Sequence, residues 1–261
     1  MTASEAALAS ALALMARLPG AEIHEAADIS WLASGRPMAS LNHVHGIRLG
    51  DEPATIDGRI DAAQAVVTDE GALPATWWIG PKATPADLCS RLAARGLTAA
   101  DPEYGMVIAL DGLPRPEGNV NLVQETDLAA WLSVMGRSYG WSDHRAIAVW
   151  TDLYRGAIME TSPVWWHVIV RANGEAVACA SLFPAGDQAF VTNVGTLPEA
   201  RGAGFGTAAT LAVLALAADA GYRRASLTAS LMGRAMYARI GFREEARLDR
   251  YVWAGRPLEA P

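Results

Sequence analysis

The sequence predicts an α/β (α+β) protein built as two domains, on three observations. Residues 189–220 pass from an apolar stretch, Ala189-Phe190-Val191-Thr192-Asn193-Val194, through Arg201-Gly202-Ala203-Gly204-Phe205-Gly206-Thr207 into a long apolar segment, Ala208 to Ala220. That is the pattern of strand, tight turn and helix. Asn173-Gly174 sits between two apolar runs, the signature of a two-residue hairpin turn. Residues 111–118, Asp-Gly-Leu-Pro-Arg-Pro-Glu-Gly, hold two prolines and two glycines. Such a segment continues neither a helix nor a central strand. It divides the 261 residues into 1–118 and 119–261, each of domain size.

In the second half Val120–Glu125 reads as a strand, and Asp127–Tyr139 and Ala146–Met159 as helices, with Thr126 as N-cap of the first. Trp165–Arg171 and Glu175–Phe183 form the hairpin around Asn173-Gly174. The helix from Gly204 to Ala220 is apolar nearly all round. Leu211, Leu214 and Ala218 share a stripe, whereas Val213 and Leu216 lie off it, so packing on more than one side is expected. Its alanines allow close approach to a sheet. A strand at Ala225–Ser230, a helix carrying Tyr237 and ending at Gly241, and a strand near Leu248–Trp253 complete the half.

The first half alternates in the same way. His43–Leu49, Ala75–Ile79 and Tyr104–Leu110 read as strands, and Ile56–Asp69 and Pro85–Arg95 as helices, the latter stopped by Gly96. Ala6–Met15 has no basic start, has Glu5 ahead of it and Arg17 close behind, and so reads as a surface helix and not as the core of a signal peptide.

Composition bounds the function. With 51% hydrophobic and 19% charged residues the chain can bury a sizeable core, and no apolar run is long enough to span a bilayer. A net charge of −7 argues against nucleic acid and would not repel a cationic amine. The two cysteines, Cys89 and Cys179, fall in different halves, and no metal-ligand cluster is visible. A reducing, cytoplasmic setting without a metal is the expectation.

The glycine-rich segment is the candidate site. A turn of this kind leaves backbone N–H groups free at a helix N-terminus, where the helix dipole favours an anion such as a pyrophosphate. A P-loop would need a Gly-Lys-Ser/Thr ending, and no lysine lies near. A Rossmann fingerprint would accept Thr207 as its third small residue, but that fingerprint opens a βαβ domain and this loop comes late. The third reading is a family loop of the form Gln/Arg-x-x-Gly-x-Gly/Ala, filled here by Arg201, Gly204 and Gly206. Downstream, Ser230 and Leu231-Met232-Gly233-Arg234-Ala235-Met236-Tyr237-Ala238-Arg239-Ile240-Gly241-Phe242 resemble Asn-x-x-Ala-x-x-x-Tyr-x-x-x-Gly-Phe. Upstream, Leu197-Pro198-Glu199-Ala200-Arg201-Gly202 resembles Val-x-Pro-x-x-Arg-Gly. These are motifs of the GNAT (Gcn5-related) N-acetyltransferases, and residues of about 119–253 resemble that superfamily. The departures are Ser230 in place of Asn and Thr196 where Val is common. Asp87 to Leu97 is similar in shape to the Tyr237 helix, but no matching loop precedes it, so the first half reads as a degenerate GNAT-like domain or an unrelated α/β cap.

The resemblance implies a mixed, mostly antiparallel central sheet flanked by helices, and acetyl-CoA as co-substrate. Acetyl would pass by direct attack to a primary amine, on a small molecule or a protein, with no nucleic acid or membrane partner. A homodimer is compatible with it. A longer acyl donor, a thiol-pathway acyltransferase and a CoA-binding regulatory module are the alternatives. The implied cofactor-binding residues are Val194, Gly195, Thr196, Arg201, Gly202, Ala203, Gly204, Phe205, Gly206, Thr207 and Ser230. Phe190–Leu197 would be a splayed strand, kinked near Asn193-Val194-Gly195, with a backbone N–H at Val194 to Thr196 as oxyanion donor. Tyr237 is the implied general acid. For the base, Glu160, Asp143, His144 and His167 lie on the acceptor side, and Glu160 is taken as the catalytic candidate. Trp131, Trp141, Trp150, Trp165 and Trp166 gather in the same region and are read first as core.

Overall fold

The structure, a computed structural model, describes residues 2–116, 120–140, 144–159 and 165–255. In chain order the elements are α1 (Ala3–Leu14), β1 (Glu22–His24), β2 (Ser30–Ala33), β3 (His43–His45), α2 (Pro53–Val67), β4 (Ala75–Ile79), α3 (Leu88–Ala94) and β5 (Thr98–Ala109). There follow β6 (Val120–Leu122), α4 (Leu128–Ser138), α5 (His144–Met159), β7 (Trp166–Ala172), β8 (Glu175–Ala185), β9 (Gln188–Thr196), α6 (Phe205–Asp219), β10 (Arg224–Ala229), α7 (Leu231–Ile240) and β11 (Arg243–Trp253). They divide into two compact units. One is Met1–Gly105 with Ser230–Met232 and Glu245–Pro261, and the other is Met106–Ala229 with Gly233–Glu244. The final strand, read from the sequence as the end of the second half, is thus counted mostly with the first unit.

In the first unit the strand order is β1-β2-β3-β4-β11. β3 and β4 are parallel, and β11 runs antiparallel to β4 from Asp249↔Ile79 to Trp253↔Ala75. α2 is the crossover between the parallel strands. Ile56, Ile60, Ala63 and Val67 recur at helical spacing and pack into a core with Val44, Trp77, Leu88 and Leu92. α1 opens with a capping box: the Thr2 hydroxyl accepts from the Glu5 N–H at 3.2 Å, and the Glu5 carboxylate accepts from the Thr2 N–H at 2.6 Å. It buries one face, with Ala7, Leu8, Ala11 and Leu12, and leaves the rest partly exposed. β1 and β2 escape the sequence reading because three or four residues carry too little alternation, and Ile23 faces outward. β5 begins six residues before the expected Tyr104, running straight through Pro102.

In the second unit β10, β9, β8, β7 and β6 follow in that order. Asn173 and Gly174 take φ of +51° and +87° and turn β7 into β8, as expected, with Trp166↔Leu182 and Val170↔Ala178 in register. Thr126 is not the N-cap of α4. A short 3-10 turn over Glu125–Asp127 moves the cap to Asp127, whose carboxylate accepts instead from the Gln124 N–H (3.2 Å) and Arg171 (2.8 Å). α6 packs against β7, β8 and β9. Its buried face is Gly206, Ala209, Thr210, Val213 and Ala217, joined by Ala212 and Leu214, whereas Ala218 is exposed. Buried residues thus lie both on the Leu211–Leu214–Ala218 stripe, at Leu214, and off it, at Val213, as a helix packed over a broad face requires.

Two buried histidines report on this packing. His43 donates from Nε2 to the Ser40 carbonyl (2.7 Å) and accepts the Trp78 indole N–H on Nδ1 (3.0 Å). Burial lowers its pKa from 6.5 to about 4, and burial lowers that of His167 from 6.5 to about 3. Both rings are neutral in the folded chain, so below pH 6.5 the unfolded chain binds more protons and stability falls as pH drops. At pH 5 the loss should be about 2 kcal/mol for each ring, read as a lower urea midpoint than at pH 8. NMR titration should leave the His167 ring signals unmoved down to about pH 4. Ring signals titrating near 6.5 would contradict this burial.

Candidate functional site

The site begins with a defect in β9. It pairs antiparallel with β8 in regular register up to Ser181↔Thr192, and pairing resumes at Cys179↔Gly195 and Ala178↔Thr196. Asn193 and Val194 therefore oppose the single residue Ala180, which is a β-bulge. Asn193 has φ +51°, a left-handed conformation uncommon outside glycine. Its carbonyl accepts from the Cys179 thiol (3.4 Å), and its side-chain amide donates to the Tyr154 hydroxyl and to Ser181 Oγ (3.3 Å).

The other edge of β9 pairs in parallel with β10 from Ala189↔Ala225 to Val191↔Leu227, and there the pairing ends. Thr192–Thr196 runs on past the last pair, so the two strands part. The Leu197 N–H turns to the Val177 carbonyl (2.9 Å) on the β8 side. By strand alternation the Thr196 peptide groups face the opposite way, into the gap. The kink falls within the expected Asn193-Val194-Gly195, but Gly195 is not the residue with positive φ. Its role is space: a Cβ there would lie 2.8 Å from Ser138 Cβ and Oγ and 3.3 Å from Cys179 Sγ.

After a 3-10 turn at Pro198–Ala200 the chain enters the loop. Gly202 and Gly204 have φ of +83° and +86°, and Gly204 is the N-cap of α6. Nothing stands within 4 Å of a Cβ added at either, so the requirement for glycine is conformational and the surface beside them is open. The first bond of α6 runs from the Ala208 N–H to the Gly204 carbonyl (3.0 Å). The amides of Phe205, Gly206 and Thr207 belong to the first turn, where an α-helix has no internal acceptor for them. At Gly206 a Cβ would meet Thr196 Oγ1 at 3.0 Å and Met236 Sδ at 3.3 Å, so its absence lets the end of β9, the start of α6 and α7 meet. Arg201 does not reach into the loop mouth. It bonds to the carbonyls of Thr196 and Ser138, each at 3.3 Å, and straps the loop to β9 and α4. Ala203 is exposed.

On α7, Tyr237 is the buried residue, 8% exposed, with its ring edge-on to Phe242 at 5.7 Å. Gly241 (φ +117°) ends the helix, and the Phe242 N–H returns to the Tyr237 carbonyl (3.1 Å). Ser230 is exposed between β10 and α7. Glu160, Asp143 and Trp141 lie outside the described residues, as does the side chain of His144. His167 is no base: it is 3% exposed, its Nδ1 is bonded to Ser181 Oγ (2.8 Å), and burial holds it neutral. Trp131, Trp150 and Trp165 are core, packed with Tyr154 and His167. Burial pushes the Cys179 thiol up to about 12, so it is no nucleophile. Asn193 and Tyr154 were missed from sequence. A polar amide between apolar strand residues was the available signal.

The first unit repeats this order of elements with different residues at the corresponding positions. Gly96 (φ +85°) ends α3 as Gly241 ends α7, and the Leu97 N–H returns to the Leu92 carbonyl (3.2 Å). Leu92, fully buried, therefore holds the register of Tyr237 and has no proton to give. α2 starts with Pro53 behind Asp51 and Glu52. Proline removes an N–H and two carboxylates repel an anion, so this helix start suits no pyrophosphate.

Residues 127–242 match the profile of the Acetyltransferase (GNAT) family. Among solved structures, a GCN5-related N-acetyltransferase from Kribbella flavida is similar at TM-score 0.68 and 20% identity, covering 98% of each chain. A functionally unknown conserved protein from Staphylococcus epidermidis gives 0.70 and 14%, over 92% of this chain and 96% of that one. A tandem GNAT protein from the clavulanic acid biosynthesis pathway gives 0.59 and 15%, over 97% and 96%. At these identities the likeness is one of fold, and it extends over both units. No curated protein matches the sequence.

Gly195→Ala should force the end of α4 away from β9 and cost about 1–3 kcal/mol in thermal or urea unfolding. Ser138→Gly in the same chain should recover most of the loss. Full stability in Gly195→Ala alone would contradict the close packing.

Proposed function

We propose that this chain, whose residues 127–242 form a domain of the acetyltransferase (GNAT) family, moves an acetyl group from acetyl-CoA to a primary amine. The observation that carries the reading is the junction at Gly206. There the unpaired end of a bulged strand, an open helix N-terminus and the helix of Tyr237 come together within 3.0–3.3 Å of one missing Cβ.

The fit to the co-substrate is chemical. Gly202 and Gly204 free the loop amides of side-chain cover, and the first turn of α6 supplies N–H groups and the positive end of the dipole for a pyrophosphate. The stretch Val194 to Thr196 offers strand-like backbone groups to the amide-bearing arm of CoA, as a neighbouring strand would. The amine nitrogen attacks the thioester carbonyl, a C–N bond forms, and charge collects on the carbonyl oxygen. A backbone N–H within Val194–Thr196 serves that oxyanion. The C–S bond then breaks and Tyr237 gives its phenolic proton to the sulfur. The proton released from the amine passes to a carboxylate, for which Glu160 is the proposed group. The acceptor is a small-molecule or protein amine, and its cationic form is compatible with the net charge of −7.

Gly204→Asp brings a carboxylate and a disfavoured positive-φ side chain to the loop, and should abolish acetyl-CoA binding by calorimetry on the folded variant. Unchanged affinity would sink the pyrophosphate assignment. Tyr237→Phe keeps the ring on Phe242 and removes the proton. Turnover should fall about 10²–10⁴-fold with acetyl-CoA affinity nearly constant. Wild-type turnover would leave Tyr237 as packing.

A further inference from the structure

The bulge in β9 is anchored from behind by a buried polar chain, in a core otherwise made of aromatic rings. Asn193 has two amide protons, and they are divided between Tyr154 and Ser181. Ser181 Oγ is in turn hydrogen-bonded to His167 Nδ1 at 2.8 Å. Burial keeps the His167 ring neutral, its pKa lowered to about 3. Tyr154 and Ser181 are fully buried and His167 is 3% exposed. Hydrogen bonds this deep are strengthened by the low local dielectric, so although His167 Nε2 has no partner among the described residues the relay ties the residue at its outer end, Asn193, to three buried side chains. That residue has the left-handed backbone of the bulge, and the Cys179 thiol holds its carbonyl from the other side.

Resting on the acetyl-transfer reading above, we propose that Asn193 is a positioning residue. Through Tyr154, Ser181 and His167 it fixes the bulge of β9 and thereby aims a backbone N–H within Val194 to Thr196 at the reacting carbonyl. Tolerance of a positive φ is a lesser requirement, since glycine would meet it. The hydrogen bonds add what glycine lacks, a single direction for the peptide planes that follow. None of these side chains touches substrate. Their effect belongs to the turnover step, where oxyanion stabilisation operates, and not to holding the CoA moiety, which lies with the loop at Gly202 to Thr207.

Asn193→Gly, Tyr154→Phe and Ser181→Ala test this in the full chain. Asn193→Gly keeps the dihedral and deletes the anchor, and Tyr154→Phe is close to isosteric and should fold even where Asn193→Gly does not. The first readout needs no substrate: the amide ¹H–¹⁵N signals and hydrogen exchange of Gly195 and Thr196. These should shift and exchange faster in all three variants. The second is kinetic. kcat should fall about 10²-fold in Asn193→Gly and about 10-fold in each of the others, with KM for acetyl-CoA within about two-fold. The double variant Tyr154→Phe/Ser181→Ala should match Asn193→Gly and not exceed it, because both cut the same support. Unchanged amide signals overturn the proposal, and so does a shift in those signals with kcat intact. A wild-type chain that transfers no acetyl to any amine would count against the enzymatic reading. The amide signals would then still decide whether the relay holds the bulge.

Discussion

A strand that must offer its backbone to something other than the protein has to give up a neighbour, and β9 gives up β10 after Val191. Most of the second unit is arranged around that loss. Unpaired peptide groups are tolerable only where water or a ligand can reach them, so the parting of the strands has to lie at the surface end of the sheet. The bulge at Asn193–Val194 adds the extra residue and turns the chain, and Gly195 lets α4 close down behind it. Gly206 then brings the next helix up against Thr196, so that one short stretch has its back packed and its front open.

The two units carry the same sequence of elements around a parallel strand pair: strand, crossover helix, strand, and a glycine-capped helix. They differ at the start of the crossover helix and in the glycine-capped helix. Leu92 holds the register of Tyr237, and Pro53 with its preceding carboxylates stands at the helix start that in the second unit is Gly204-Phe205-Gly206. The first unit keeps a buried core of its own around Ile56, Ile60, Trp77 and Leu92.

How much of this could be read from residues follows from what each feature depends on. The Arg201–Thr207 loop, the Asn173-Gly174 turn and the Gly241-Phe242 helix end depend on local backbone conformation, and local sequence announces them. The bulge was locatable, but its anchor was not, because the left-handed asparagine is held by partners that lie 12 and 39 residues away. The Arg201 guanidinium is taken by two carbonyls, one of them 63 residues distant, which no short pattern encodes. β1 and β2 are too short for their alternation to register, and the 3-10 turn over Glu125–Asp127 puts Asp127 in the cap position expected for Thr126.

The membership of β11 bears on how such a chain is made. The ribosome delivers residues in order, and the first unit is the first to emerge, yet its β4 pairs with Asp249–Trp253 and the backbone of Ser4 bonds to Glu245, 241 residues on. The edge of β4 therefore stays uncovered until Asp249–Trp253 has been made, after every other strand described. In that interval it is the place where chaperones or aggregation would compete for pairing.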